Sequence, residues 1–185
     1  GALLVARNPA GLCAISLGDD ADALAAGLLA THPEARPDSD GAALAQVAAL
    51  IDTSGGSLAL PLAPRGTPFQ QRVWQALGQI APGHTLSYTE LALRIGAPRA
   101  VRAVAGACAA NPLAVVIPCH RVLRRDGALA GYRWGEARKR YLLDQEALSA
   151  GVWYVAIDFQ LFALAVLLLW LPGRVAALRP LAPAL

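Results

Sequence analysis

At 185 residues, with 16 Lys plus Arg against 13 Asp plus Glu and a formal charge of +3, the chain can build one ordinary domain or two small ones around a real core, and its net charge alone says little about nucleic acid. Its three cysteines, Cys13, Cys108 and Cys119, form no Cys-x-x-Cys pair and have no His at metal-ligand spacing, which argues against a disulfide framework or a zinc site and suits a reducing compartment. Neither familiar Gly-rich phosphate loop is present and no secretory signal is visible; the start at Gly1 rather than Met leaves room for an upstream domain.

Residues 1–63 read as a small mixed scaffold. Leu3–Ala6 and Leu12–Leu17 are strand-like runs around the hairpin signal Asn8-Pro9-Ala10-Gly11, which makes Cys13 a packing residue. Asp19 or Asp20 can cap a helix running to about Ala30, and Asp40 a second from Gly41 to Ile51. Thr53-Ser54-Gly55-Gly56-Ser57 is a loop, and Leu58–Leu62 reads as a further strand. Nothing in this third carries recognisable chemistry.

Residues 64–147 open on Thr67-Pro68-Phe69-Gln70, a capping box with Pro at the first helical position. Phe69, Val73, Trp74 and Leu77 follow at helical spacing as a core stripe, and Pro82-Gly83 is the stop signal. Ser87-Tyr88-Thr89-Glu90 repeats the capping box, with Leu91, Ala92 and Ile95 as the inner face of a helix ending at Gly96; Pro98 can start another that runs to about Ala110. Two short helices around Gly96-Ala97 have the spacing of a helix-turn-helix. The second is nearly devoid of side chains able to read base edges, and its small residues allow close, sequence-independent backbone contact with a duplex. Alanine is also simply a good helix former, which accounts for much of that pattern.

The apolar run Leu113–Ile117 then delivers Pro118-Cys119-His120-Arg121, a thiol, an imidazole and a guanidinium side by side where buried chain meets loop. A thiol becomes a useful nucleophile as thiolate, and a neighbouring base or cation lowers its pKa from about 8.5 toward neutrality. Most free cysteines are instead buried small hydrophobes. Between Pro98 and Tyr141 stand nine basic residues, Arg99, Arg102, Arg121, Arg124, Arg125, Arg133, Arg138, Lys139 and Arg140, against two acidic ones, Asp126 and Glu136. Such a local excess is the footprint of a phosphate-binding face or of an ordinary solvated surface.

Asn111-Pro112 through Ile117-Pro118-Cys119-His120-Arg121-Val122, with Gly131-Tyr132-Arg133 behind it, resembles the O6-alkylguanine-DNA alkyltransferases, most closely the bacterial Ada-type methyltransferase domain. The likeness extends from about Leu4 to about Ala147. It implies direct, irreversible and stoichiometric transfer of an alkyl group from guanine O6 to Cys119, and hence a methylated-DNA–protein-cysteine methyltransferase that reacts once; the resemblance leaves open whether O4-alkylthymine is also a substrate. By the same resemblance His120 is the general base, Glu146 the carboxylate that orients it, and Asn111 the residue tying the reactive loop to the helix-turn-helix. Arg102 matches an intercalating finger and Tyr88 the tyrosine that crowds the adjacent phosphate; taken alone they read as a phosphate contact and a helix-start aromatic. Arg99, Ala103, Gly106 and Arg121 complete the expected DNA-binding set. Tyr132, Arg133 and Val122 form the expected pocket for the flipped base. The implied partner is double-stranded DNA holding O6-alkylguanine. No metal, nucleotide or other cofactor is implied, and a monomer in the cytoplasm, at the nucleoid, is expected.

The tail departs from that family. Val152–Leu171 is nearly continuous apolar sequence, about the 20 residues a bilayer core needs, with Trp153, Tyr154 and Trp170 near its ends and Asp158 and Gln160 inside it. It reads as an appendage of anchor-like character, so membrane tethering through 152–171 is a further expectation. The fold class expected is α+β: a mixed sheet and helix subdomain (1–63), a mostly helical subdomain with a helix-turn-helix of winged-helix type (64–147), and an apolar C-terminal helix in 148–185. Competing functions are a non-catalytic lesion-binding or regulatory module such as a fragment of an Ada-type regulator, a Cys-His hydrolase, and a membrane-tethered interaction protein.

Overall fold

The structure, a computed structural model, describes residues 1–37, 41–53 and 58–149. The expected cap Asp40, residues 54–57 of the loop expected at 53–57 and the apolar tail at 152–171 lie outside the described residues, while Thr53 of that loop ends a helix instead. Contacts divide the chain into a unit Gly1–Ala147 and a second, Leu148–Leu185. The first unit is mixed α+β. Among the described residues no helix is long and apolar enough to cross a membrane.

Strand β1 (Ala2–Asn8) and β2 (Gly11–Gly18) form the antiparallel hairpin expected from the Asn8-Pro9-Ala10-Gly11 signal, with a bulge between Ala6 and Arg7. Asn8 Oδ1 accepts from the backbone of Ala10 and Gly11, the short-range bond that makes Asn a turn former. Gly11 has φ 138, and a Cβ there would stand 2.2 Å from the Pro61 carbonyl oxygen, so only glycine lets the returning chain dock against β2. Helix α1 (Ala21–Thr31) is capped by Asp20, whose side chain accepts from Asp22 and Ala23 amides, and α2 is Ala42–Thr53. Of the described side chains of these two helices, those of Ala43 and Val47 are buried in the core.

The outer edge of β2 joins the scaffold to the rest. At one end it exchanges bonds with Pro61 and Ala63; at the other, Ile15 donates to the Pro112 carbonyl at 2.8 Å and accepts from the Ala114 amide at 3.1 Å. The strand expected at Leu58–Leu62 is reduced to a bridge at Leu62, because Pro61 has no N–H to extend a ladder. The strand-like run Leu113–Ile117 likewise pairs only at Leu113, after which Val115 turns the chain with φ 67.

Helix α3 (Pro68–Leu77) carries the full capping box of Thr67 and Gln70 and buries Val73, Trp74, Ala76 and Leu77. It ends at Gly78, ahead of Pro82-Gly83. Two-residue β3 (Leu86–Ser87) leads through the second capping box into α4 (Tyr88–Arg94). Gly96, at φ 71, ends α4 in a Schellman arrangement: Ala97 N donates to Ala92 O and Gly96 N to Leu93 O. Pro98 and Arg99 fall in the following turn, so α5 begins at Val101, later than Pro98 suggests, and runs to Ala109. The Trp74 indole donates to the Ala107 carbonyl at 2.8 Å, fixing α5 on α3. A 3-10 turn (Cys119–Arg121) passes into β4 (Val122–Leu123), which pairs in parallel with β3. A final helix, α6, covers 136–149 of the described residues.

Candidate active site

Among the described residues, four polar side chains are buried, Asn111, His120, Lys139 and Glu146, and all of them belong to the segment that also carries Cys119. Unpaired buried polar groups are costly, so the partners of these four define what the segment is for.

Asn111 follows α5 and works as a hub. Its Oδ1 accepts from the Leu113 amide at 2.9 Å, while its Nδ2 faces the Ile117 carbonyl at 2.8 Å, the Cys119 Sγ at 3.2 Å and the Leu113 carbonyl at 3.3 Å. The end of the second helix is thereby tied directly to the sulfur. Cys119 itself is only 4% exposed. Burial pushes its pKa up, and the Asn111 amide, Lys139 and Arg133 act in the opposite sense.

His120 is fully buried, and its Nε2 lies 2.8 Å from Glu146 Oε1. Glu146 is held on its other side by Arg121, with Nη2 at 2.7 Å from Oε1 and Nε at 3.0 Å from Oε2, and it accepts from the Gly83 amide at 3.3 Å. Burial pushes the Glu146 carboxyl up, but the bonds from His120 and Arg121 and their charges prevail and hold its pKa at about 2. The carboxylate is therefore an anion and an acceptor. Burial lowers the pKa of His120 despite that anion, so the imidazole is neutral at rest. With Nε2 carrying the proton donated to Glu146, Nδ1 keeps its lone pair, and Nδ1 has no hydrogen-bond partner among the described residues. The Tyr132 hydroxyl is in the same condition. Its ring stands edge-on to His120 at 6.5 Å and to Trp134 at 5.1 Å.

Three of the expected site residues make contacts within the protein. Arg121, expected at DNA, has its guanidinium engaged by Glu146 and the Ile80 carbonyl. Val122, expected in a substrate pocket, has its side chain in the core and reaches the site only through its carbonyl. Arg133 is exposed, donates to the Asn111 carbonyl at 3.4 Å and stacks over Trp134. Of the nine basic residues, Arg121, Arg138 and Lys139 serve internal contacts: Arg138 bonds Asp19 and the Trp134 carbonyl. The remaining six, Arg99, Arg102, Arg124, Arg125, Arg133 and Arg140, are exposed.

On α5, Arg102, Ala103 and Gly106 share the exposed face, opposite the buried Val104, Ala107 and Cys108. A Cβ on Gly106 would meet nothing within 4 Å, so the fold itself does not demand its smallness. Tyr88 is half-buried at the start of α4; burial raises its pKa to about 12, helped by the neighbouring Cys108 and Cys119. The phenol thus stays protonated near the Cys119 thiol.

Lys139 is the residue that sequence reasoning missed, having counted it only as one of a basic run. It is fully buried on α6, and its Nζ donates to Val122 O at 2.6 Å and Ala130 O at 3.4 Å, clamping both ends of the loop between them. A signal existed: Lys139, Leu142 and Glu146 recur at helical spacing on one face, so two charges stand in the buried stripe of a helix.

The chain also resembles known proteins. Residues 68–148 match the family model described as 6-O-methylguanine DNA methyltransferase, DNA binding domain. The chain is 56% identical over 151 residues to the Salmonella typhimurium regulatory protein Ada, covering 80% of this chain and 43% of that protein. It is 52% identical over 89 residues to the Haemophilus influenzae methylated-DNA–protein-cysteine methyltransferase, covering 48% of this chain and 50% of that one. The chain thus spans about half the length of the curated relatives it matches. Among solved structures, Mycobacterium tuberculosis OGT in complex with DNA is 37% identical with a TM-score of 0.66, over 80% of this chain and 87% of that one.

Proposed function

The chain belongs to the 6-O-methylguanine-DNA methyltransferase family, and from that membership we propose that it repairs O6-alkylguanine in double-stranded DNA by transferring the alkyl group, once, to Cys119. The observation that carries the reading is the chain of contacts in which Arg121 and His120 meet on Glu146 while Asn111 holds the Cys119 sulfur.

His120 Nδ1 takes the thiol proton, through an intervening water, and Glu146 keeps the imidazole oriented and stabilises the imidazolium that forms. The Cys119 thiolate attacks the alkyl carbon, a C–S bond forms as the C–O6 bond breaks, and guanine leaves with the electron pair and takes up the proton. The product thioether is not readily hydrolysed, so each molecule reacts once. The burial of a thiol that rests protonated suits this logic: the nucleophile is generated only when the base acts on it.

Such chemistry requires the lesion to leave the helix stack. The exposed face of α5 serves as the DNA surface, with Arg102 filling the vacated position, Arg99 on phosphate, and Ala103 and Gly106 letting the backbone approach. Tyr88 crowds the phosphate beside the lesion, and Tyr132 and Arg133 line the pocket for the extruded base. The β3–β4 pair and the turn at 124–128, carrying exposed Arg124 and Arg125, act as the wing of a winged helix. In this role the protein works in the cytoplasm on chromosomal DNA. The similarity to the longer regulatory protein Ada favours a second, compatible reading, in which the same transfer domain operates within a regulator.

Intact-protein and peptide mass spectrometry after incubation with a duplex holding one O6-methylguanine tests the proposal. One methyl group on Cys119, in proportion to guanine restored and absent from Cys119→Ala, is expected. Tight duplex binding without an adduct would replace repair by lesion sensing.

A further inference from the structure

The loop that delivers Cys119 is wound by two three-residue turns. Val116 N donates to the Ala114 carbonyl at 2.7 Å around Val115, and Cys119 N donates to the Ile117 carbonyl at 2.8 Å around Pro118. Pro118, at φ −81 and ψ 61, takes the common low-energy form of such a turn. Val115, at φ 67, takes the rare and strained form, and it is the only non-glycine residue with positive φ among the described residues. For a β-branched side chain this is a true outlier, tolerated only where the surroundings over-determine it.

The surroundings show what the turn achieves. Leu113 is pinned to β2 at Ile15 and to Asn111 Oδ1, and Ile117 N returns to the Leu113 carbonyl at 3.1 Å. With that reversal, the Leu113 and Ile117 carbonyls and the Cys119 sulfur all converge on Asn111 Nδ2. Were residues 113–117 the extended strand their composition suggests, Ile117 would lie about 13 Å from Leu113, out of reach of one amide. The Val115 side chain is half-buried and packs against the core, which confines the backbone where glycine would leave it free.

We propose that Val115 is a positioning residue whose strained turn sacrifices stability to hold the Cys119 thiol under Asn111 for alkyl transfer; this rests on the reading of Cys119 as the acceptor. The test compares the full chain with Val115→Ala, which removes the side chain and keeps the strain, and Val115→Gly, which relieves both. Val115→Gly is expected to melt about 3 °C above Val115→Ala, to methylate about tenfold more slowly than wild type on an O6-methylguanine duplex, and to label faster at Cys119 with iodoacetamide, read by peptide mass spectrometry. A merely structural residue would move stability and transfer rate together. Equal transfer and labelling in Val115→Gly and wild type, or a Val115→Gly that melts below Val115→Ala, overturns the inference. Wild-type protein that takes no methyl overturns only the alkyl-transfer reading, and melting and iodoacetamide labelling still decide whether Val115 confines the thiol.

Discussion

In residues 1–63 the side chains of Asn8, Asp20 and Thr31 bond to backbone no more than three residues away, whereas in residues 64–147 Glu146 reaches back 26 residues to His120 and 63 to the Gly83 amide. The first region uses these groups to end helices and turn strands, its long-range bond from Asp19 to Arg138 is exposed, and its buried core residues are apolar. The second buries four polar side chains together around a sulfur. Local polar bonds specify the path of the chain; buried long-range ones specify protonation states, because only there is water excluded and each partner worth several times what it would be at the surface. Damage to the two regions should therefore differ in kind as well as in size.

The largest effect is expected from Glu146→Gln, which leaves Arg121 and His120 without their shared anion. Single-turnover transfer should slow by about 10²- to 10⁴-fold, with a stability loss of about 3 kcal/mol in urea titration. A loss of rate under tenfold would dissolve the distinction between the regions, since the polar hub would then be only structural.

Acid should reproduce part of that loss. Glu146 is depressed to about 2 when folded, so its contribution is complete above its ordinary value and is lost as pH falls toward about 2. His120 is also depressed when folded, so it disfavours folding as pH falls below about 6.5, where the unfolded imidazole takes a proton first. Both act in one direction. Stability is expected to decline from about pH 6.5 downward, with the steepest part of the decline below about pH 4.5 missing in Glu146→Gln. A flat profile down to pH 3 would show that the pair contributes nothing to folding. In the transfer reaction the raised Cys119 thiol and a base that must be neutral predict a rate that rises with pH.

Lys139→Met sharpens the comparison further. It removes a buried cation but strands the Val122 and Ala130 carbonyls, and a loss of about 2 kcal/mol is expected. Wild-type stability in this variant would mean that the apolar replacement compensates the loop clamp. The smallest effect belongs to the first region: Asp20→Ala removes the cap of α1 at about 1 kcal/mol, with transfer to Cys119 unchanged when both proteins are fully folded. A change in transfer rate there would mean that the scaffold tunes the site.

Much of the chain's path was legible from the residues in order. Both capping boxes, the Asn8 turn and the Asp20 cap are where short-range chemistry puts them, because the groups that satisfy one another are within three residues. The failures have the same physical origin. Leu58–Leu62 and Leu113–Ile117 look like strands, but Pro61 and the Asn111 hub decide otherwise.

For the site, adjacency in Pro118-Cys119-His120-Arg121 brings a thiol, an imidazole and a guanidinium together, and the proposed roles of nucleophile and base come from the family resemblance. What adjacency could not say is that Arg121 turns inward to Glu146, that Lys139 is buried, or that Val115 reverses the chain. Those facts depend on which groups are brought together once water has been expelled. A cation in a helical sequence is solvated or buried according to the neighbours that packing supplies, and a thiol is at rest or ready according to the charges that same packing sets around it.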